Sequence, residues 1–407
     1  MIKEVKLLKE YLIYHGEAGK KAAVARCLYH IIKPFFRKEI WLISDRINKA
    51  DDNGEALFKF INENSKPVNA YFVLHKDSLD FDSVSQIGKV LQYRSWKHKL
   101  YHLLADKWIS AAGDDFVSNP FFGIEQFYRD ILMKKKQVFL QHGIIKDDLS
   151  GWLNRYAKNL DIFVTSALPE YNSIVNGKYF YNQSVVKLTG LARYDRLLDK
   201  AENIITIMPT WRSSLVDKNT NASDVIDGVK RYSENFKESD FFIFYNSLIN
   251  DARLIDIAKK LKYKIRFMPH PNLIAYIDWF KKNSYVEFCS INTKYRDIFS
   301  TSSLILTDYS SVAFDFAYLR KPVVYTQFDK ETFFSGQVYD QGYFDYERDG
   351  FGEVEYTLDD TVNRLIEYME ANCVLKDKYK KRIDSFFAYN DRNNCERIYN
   401  EIINLRD

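Results

Sequence analysis

The sequence predicts an α/β protein of two doubly wound, parallel-sheet domains. Short β-rich apolar runs alternate with helical stretches almost throughout, the pattern of parallel sheets covered by helices on both faces. A chain of 407 residues exceeds one ordinary domain, and a polar, charged stretch at 195–203 divides the runs into two series. The motifs able to carry chemistry all fall at the carboxyl ends of predicted strands, where open α/β sheets bind ligands.

The first series comprises strands at 40–44, 70–75, 108–112, 137–141, 161–166 and 185–189, with helices between several of them, at 54–64 and 95–106. The second comprises 204–208, 264–268, 286–289, 304–307 and 323–326, with 241–244 readable as strand or helix. Residues 213–240 are polar and read as a loop with a weak helix, and the tail from 358 reads as helical. The expected organisation is a basic N-terminal segment at 1–38, a first domain at 39–197 and a second at 198–407.

A hydrophobic fraction of 46% suits a full globular core. A net charge of +4 gives no ground for a nucleic-acid partner. Cys27, Cys289, Cys373 and Cys395 lie far apart without metal or redox spacing, as in a reduced cytoplasmic protein. No apolar run approaches the roughly 20 residues needed to span a bilayer. Residues 1–38 carry nine Lys/Arg against three Glu, interleaved with Leu7, Leu8, Tyr11, Leu12, Ile13, Ile31, Ile32, Phe35 and Phe36. That pattern suits peripheral binding to an anionic membrane surface; the alternative is a helix packed on the first domain with its lysines solvated.

Four motifs stand out. Gln141-His142-Gly143 ends a strand and presents an imidazole suited to acid–base work, with a glycine that permits close approach; the plain alternative is a loop histidine capping backbone groups. Met268-Pro269-His270-Pro271 ends another, the prolines fixing the backbone around the ring, which otherwise only fills a rigid turn. Pro209-Thr210-Trp211-Arg212 offers a guanidinium that can fork onto phosphate; without its neighbours it would read as a surface arginine stacked on Trp211. Thr307-Asp308-Tyr309-Ser310-Ser311 joins a strand to a helix and leaves backbone N–H groups and two hydroxyls facing an anion, with Asp315 one turn on; alone it is an ordinary helix cap. His15, His30, His98 and His102 fall in basic helical stretches and read as solvated. No metal site is expected, and no P-loop or dinucleotide glycine motif is present.

Together these segments resemble the CDP-glycerol glycerophosphotransferase family of teichoic acid and capsule enzymes. The matching residues are Asp51-Asp52-Asn53-Gly54 before Leu57-Phe58, the 141–143 motif, Gly190-Leu191-Ala192-Arg193-Tyr194-Asp195, and Pro209-Thr210-Trp211-Arg212. Pro269-His270-Pro271, the 307–311 motif, Lys321-Pro322 and Phe328-Asp329 follow in order, so the resemblance runs from about residue 39 to the end of the chain. It implies a GT-B-like fold of two Rossmann-like domains, with acceptor in the first and donor nucleotide in the second. It implies that His142 and His270 are essential, and that Ser310 and Ser311 contact a pyrophosphate. The reaction it implies is transfer of glycerol phosphate or ribitol phosphate from a CDP-alditol to a hydroxyl of a glycan or lipid-linked glycan at the inner membrane face, releasing CMP. No cofactor beyond the donor substrate is expected. Thr210, Arg212, Asp308 and Asp315 are the further expected substrate contacts. Ala192 stands where proline is common in the family, and the long N-terminal extension of the large polymerases is not in this chain; both depart from the polymerase pattern and leave room for a capsule-type or priming transferase. The other readings are a nucleotide-sugar glycosyltransferase of the same fold and a non-catalytic glycan- or membrane-binding protein.

Overall fold

The computed structural model describes residues 6, 9–10, 13–114, 119–216, 234–290, 292–334 and 340–405. Leu7, Leu8, Tyr11 and Leu12 of the N-terminal apolar set lie outside the described residues, as does 217–233 of the polar stretch.

The first series forms a seven-stranded sheet: β1 (Ile40–Ser44), β2 (Asn69–Leu74), β3 (Lys89–Gln92), β4 (Lys107–Ser110), β5 (Lys136–Phe139), β6 (Ile162–Thr165) and β7 (Val186–Leu188). Its order is β3-β2-β1-β4-β5-β6-β7, and every pairing is parallel. The second series forms a six-stranded sheet: β8 (Ile204–Met208), β9 (Lys264–Phe267), β10 (Val286–Phe288), β11 (Leu304–Thr307), β12 (Val323–Thr326) and β13 (Val354–Glu355). Its order is β10-β9-β8-β11-β12-β13, again all parallel. Both sheets follow the doubly wound order, with switch points between β1 and β4 and between β8 and β11. β1, β6, β8, β11 and β12 are buried along their whole length, as expected for strands covered on both faces.

The strands missed in the sequence are the edge strand β3, where Lys89 and Gln92 face solvent, and the two-residue β13. Residues 241–244 are helical within Asp240–Leu248, a helix capped by Ser239, whose Oγ accepts from Phe242 N at 3.2 Å. The local cap and the tertiary packing of Phe241, Phe244 and Tyr245 settle that ambiguity.

The two sheets divide between β7 and β8, and the last helix, Asn394–Ile403, returns to the first. Asp195 accepts hydrogen bonds from the backbone N–H groups of Asn394 (2.9 Å) and Cys395 (2.7 Å). Tyr399 packs against Trp41 with centroids 5.5 Å apart, and Lys66 pairs with Glu396 at 2.9 Å. The end of the chain thus clamps the first domain.

The N-terminal segment packs as well. In the helix Gly16–Ile32, Ala22 and Ala25 are buried against Leu103, Phe121, Phe127 and Ile131. Arg26 forks onto Asp130 with both bonds at 2.7 Å, and Lys33 pairs with Asp106 at 2.6 Å. Its outer side still presents Val24, Ile31 and Phe35, the last 80% exposed. No helix among the described residues is long and apolar enough to cross a membrane.

His98 and His102 are not solvated. Both are fully buried on the inner side of the helix Trp96–Leu104. His102 stacks on Trp108 at 4.2 Å, and neither of its ring nitrogens has a hydrogen-bond partner among the described residues. Burial, then the nearby His98 and Lys135, hold its pKa well below 6.5. The sign follows from protons bound: below pH 6.5 the unfolded imidazole takes a proton that the folded one refuses, so stability falls as pH falls. We expect His102→Leu to gain stability relative to the parent as pH drops from 7.5 to 5.5, by about 1 kcal/mol, since each pH unit below the unfolded value is worth about 1.4 kcal/mol. Urea denaturation at both pH values measures it; a difference independent of pH would show that His102 titrates normally.

Candidate active site

Asp45 follows β1 and organises the first wall of the cleft. Its carboxylate accepts from the backbone N–H groups of Gly54 (2.6 Å), Glu55 (3.1 Å) and Asp52 (3.2 Å), which fixes the N-terminus of the helix Asn53–Glu63 against the strand end. Gly54 is required by close approach: a Cβ there would sit 2.5 Å from Asp45 Oδ1 and 2.7 Å from the Ser44 carbonyl oxygen. Burial and the Asp52 charge hold the Asp45 carboxyl well above its usual range.

Asp52 caps that helix and faces the cleft. One oxygen accepts from Asn53 N at 2.8 Å and from Arg193 Nη1 at 2.6 Å. The other is in short contact with His142 Nδ1. Burial opposes its ionisation, but the charges and hydrogen bonds of His142 and Arg193 outweigh that and hold it at about 2.

His142 follows β5 on a backbone turned by Gln141, which is buried and adopts a left-handed φ of 64°. Glu170 pins this turn. It accepts from Gln141 Nε2 at 3.0 Å and from the backbone N–H groups of Ile145 (2.7 Å) and Ser166 (2.8 Å). Its burial raises its pKa to about 7 despite those bonds. The His142 ring is 63% exposed. With Nδ1 donating to Asp52, the lone pair is on Nε2, where Arg46 Nη2 donates to it at 3.3 Å.

The second wall is built from β8, β9 and β11, which are neighbours in the sheet. His270 follows β9, and its Nδ1 accepts the backbone N–H of Asn272 at 3.2 Å, capping the 3₁₀ turn that begins at Pro271. The prolines flank the ring on both sides, and the ring caps the turn that follows it. Its tautomer is therefore the reverse of that of His142: Nε2 carries the proton. Trp211, after β8, lies beside it with centroids 6.3 Å apart. Ser310 and Ser311, after β11, are partly exposed. The two walls meet closely, since a Cβ on Gly143 would lie 3.1 Å from Ser311 Oγ.

Four expected substrate contacts, Thr210, Arg212, Asp308 and Asp315, are buried instead of lining the cleft. Arg212 is buried, its side chain 4% exposed. It bonds Asp329 at 2.7 Å, Asp308 at 2.9 Å and the Thr210 carbonyl at 2.7 Å, with the rings of Phe333 and Tyr309 over it at 4.8 and 5.3 Å. It braces the wall from inside, and no open fork is left for a phosphate. Asp308 is wholly buried and accepts from Thr210 N (2.9 Å), Tyr309 N (2.7 Å) and Tyr245 Oη (3.1 Å). Asp315 is buried under Arg193. Thr210 is also buried, its Oγ1 without a hydrogen-bond partner among the described residues. His142, His270, Ser310 and Ser311 are the expected residues that reach the cleft.

Asp52 and Arg193 were quoted within motifs but not expected in the site. Arg193 crosses the cleft. Nε and Nη2 bond the two oxygens of Asp315 at 2.7 and 2.9 Å, while Nη1 holds Asp52 and the His142 carbonyl. A pair of carboxylates directly before a helix, and an arginine shortly after the last strand of a domain, are the signals that could have found them.

A profile described as CDP-glycerol:poly(glycerophosphate) glycerophosphotransferase matches residues 26–404. The chain belongs to that glycerophosphotransferase family. It is 46% identical over 412 aligned positions to the minor teichoic acid biosynthesis protein GgaB of Bacillus subtilis strain 168, an alignment covering 99% of this chain and 45% of GgaB. The teichoic acid glycerol-phosphate transferase of Staphylococcus aureus is 23% identical over 245 residues, 53% of this chain and 56% of that protein. The chain thus spans about half the length of these curated relatives. Among solved structures, the wall teichoic acid polymerase TagF superposes with a TM-score of 0.64 at 15% identity, covering 99% of this chain and 96% of that one. A putative UDP-N-acetylglucosamine 2-epimerase from Listeria monocytogenes gives 0.55 at 11% identity, covering 89% and 95%. Both likenesses bear out the GT-B-like fold of two Rossmann-like domains.

Because Arg193 neutralises two buried carboxylates, Arg193→Ala should destabilise this glycerophosphotransferase-family chain by about 3–5 kcal/mol, the cost of breaking a buried pair from one side. Adding Asp315→Ala to it should recover part of that loss. Urea denaturation of the two variants gives the comparison; a single variant within 1 kcal/mol of the parent would mean that water already compensates these charges.

Proposed function

We propose that the chain transfers glycerol phosphate, or ribitol phosphate, from the corresponding CDP-alditol to a hydroxyl of a glycan or lipid-linked glycan, in teichoic acid or capsular polysaccharide synthesis. The observation that carries this reading is the opposed tautomers of two strand-end histidines on facing walls, in a chain of this family. His142, oriented by Asp52, offers a lone pair at Nε2 and takes the acceptor's proton. The acceptor oxygen attacks the phosphorus that bears the alditol, the bridging P–O bond breaks, and CMP leaves. His270 offers an N–H at Nε2 and, with the Ser310 and Ser311 hydroxyls, meets the charge that builds on the pyrophosphate oxygens. Positioning and preorganised charge supply most of the acceleration in phosphoryl transfer. Arg212 and Asp308 act behind these groups by fixing the strand ends.

The test is CMP release from CDP-glycerol and CDP-ribitol, with nucleotide sugars as the comparison. His142→Ala and His270→Ala should each lower kcat by about 100-fold or more, the scale of acid–base and charge-stabilising groups. A variant that keeps near-normal turnover loses its assigned role, and turnover of a nucleotide sugar in place of both CDP-alditols would replace the donor.

We place the reaction at the cytoplasmic face of the membrane, with an anionic lipid surface as partner. In support, Tyr14, Ile31 and Phe35 project to solvent beside exposed Lys20, Lys21, Arg37 and Lys38, a mixed apolar and basic surface suited to anionic headgroups. Co-sedimentation should show binding to anionic vesicles and much less to neutral ones. Raising salt to 1 M should weaken it, as the Debye length shrinks to about 3 Å. Equal, negligible binding to both would leave this segment as ordinary packing.

A further inference from the structure

The turn after β1 carries a cation that the site's own network leaves uncompensated. The backbone N–H of Arg46 donates to the Lys49 carbonyl at 3.2 Å, closing a tight turn. Arg46 is exposed and its Nη2 donates to His142 Nε2 at 3.3 Å, yet among the described residues no carboxylate lies within ion-pair distance of it. The neighbouring arginines and Lys294 are neutralised: Arg193 by Asp52 and Asp315, Arg296 by Asp51 at 3.3 Å, Lys294 by Asp80 at 3.4 Å. Lys49, on the same turn, has its ammonium 5.6 Å over the Tyr295 ring, so the turn presents net positive charge beside the proposed base.

We propose that Arg46 recognises a phosphate of the acceptor next to the hydroxyl that His142 deprotonates, and so selects acceptors ending in a phosphodiester over neutral glycans. This rests on the transfer reaction proposed above. A guanidinium matches phosphate with a planar, bidentate fork, whereas its bond to an imidazole nitrogen uses one N–H and is given up when the acceptor hydroxyl takes that nitrogen. Arg46 then lies within one side-chain width of the attacking oxygen, the separation between hydroxyl and phosphate in a short alditol phosphate. The same chemistry could come from the donor's pyrophosphate. Arg46 belongs to the wall of the first domain and bonds the proposed base, while the pyrophosphate contacts His270, Ser310 and Ser311 stand on the second, which favours the acceptor.

The experiment is calorimetric titration of the 407-residue chain, without donor, by a synthetic glycan primer ending in glycerol phosphate and by the same primer lacking the phosphate. The parent should prefer the phosphorylated primer by roughly tenfold or more, the scale of a hydrogen bond between charged groups. Arg46→Gln should bring that ratio below about twofold and Arg46→Lys should leave it between, because a point charge lacks the fork. CDP-glycerol titrated in parallel identifies the source of the phosphate. An unchanged preference in Arg46→Gln overturns the proposal, as does equal binding of both primers by the parent. Loss of CDP-glycerol affinity with the primer ratio intact would hand Arg46 to the donor. Failure of the transfer reading is separate: the parent would then release no CMP with either primer.

Discussion

The position of the catalytic candidates depends on one half-buried arginine. Arg193 leaves the last strand of the first domain and delivers its charge to Asp315 of the second, while its remaining nitrogen holds Asp52 and the carbonyl of His142. The Asp315 carboxylate, taken almost wholly out of water, must be paired, or folding would cost several kcal/mol. That requirement fixes the helix Val312–Tyr318 against the loop that carries His142. Ser311, at the start of that helix, is thereby brought against Gly143. Residues distant in sequence share a site because one guanidinium has to be neutralised from both sides.

The same logic extends to the other strand ends. Asp45 after β1, Asp308 after β11 and Glu170 beside β6 are buried, and each accepts two or more backbone or side-chain N–H groups. Carboxylates in such positions spend their lone pairs holding loops. They give the cleft rigid walls, and the groups left to meet a substrate are imidazoles, hydroxyls and Arg46. This division explains why Arg212, the strongest phosphate candidate by residue type, is turned inward: Asp308 and Asp329 need its charge more than an exposed anion would.

The alternation of strands and helices, and eleven of the thirteen strands, were legible because parallel strands buried on both faces read as unbroken apolar runs. β3 was not, since an edge strand with Lys89 and Gln92 in solvent has no such run. His102 was misread because a histidine in a basic helix carries no mark of which side it faces; its burial comes from Trp108 and Phe121, which lie outside the helix and meet it only on folding. His142, His270 and the serine turn were legible as strand-end motifs. Asp52 was visible as a residue but not as a partner of His142, because that contact spans ninety positions and only folding makes it. The return of the helix Asn394–Ile403 to the first domain was likewise hidden: its capping partner, Asp195, lies in the other half of the chain.

The two histidines show how the fold assigns chemistry that residue type leaves open. Each ring is neutral-capable and each sits at a strand end, so sequence alone treats them alike. A carboxylate at Nδ1 of His142 demands a proton there and leaves Nε2 basic; a backbone N–H at Nδ1 of His270 demands a lone pair there and leaves Nε2 acidic. The difference originates in what precedes each helix or turn: Asp52 at one N-terminus, Pro271 and Asn272 at the other. Asp52 stays ionised because its contacts with His142 and Arg193 outweigh its burial and hold its pKa at about 2, so the carboxylate that orients His142 is present near neutral pH. A base on one wall and a hydrogen-bond donor on the other are what an in-line displacement at phosphorus needs, and the partners at the two Nδ1 atoms supply that polarity before any substrate arrives.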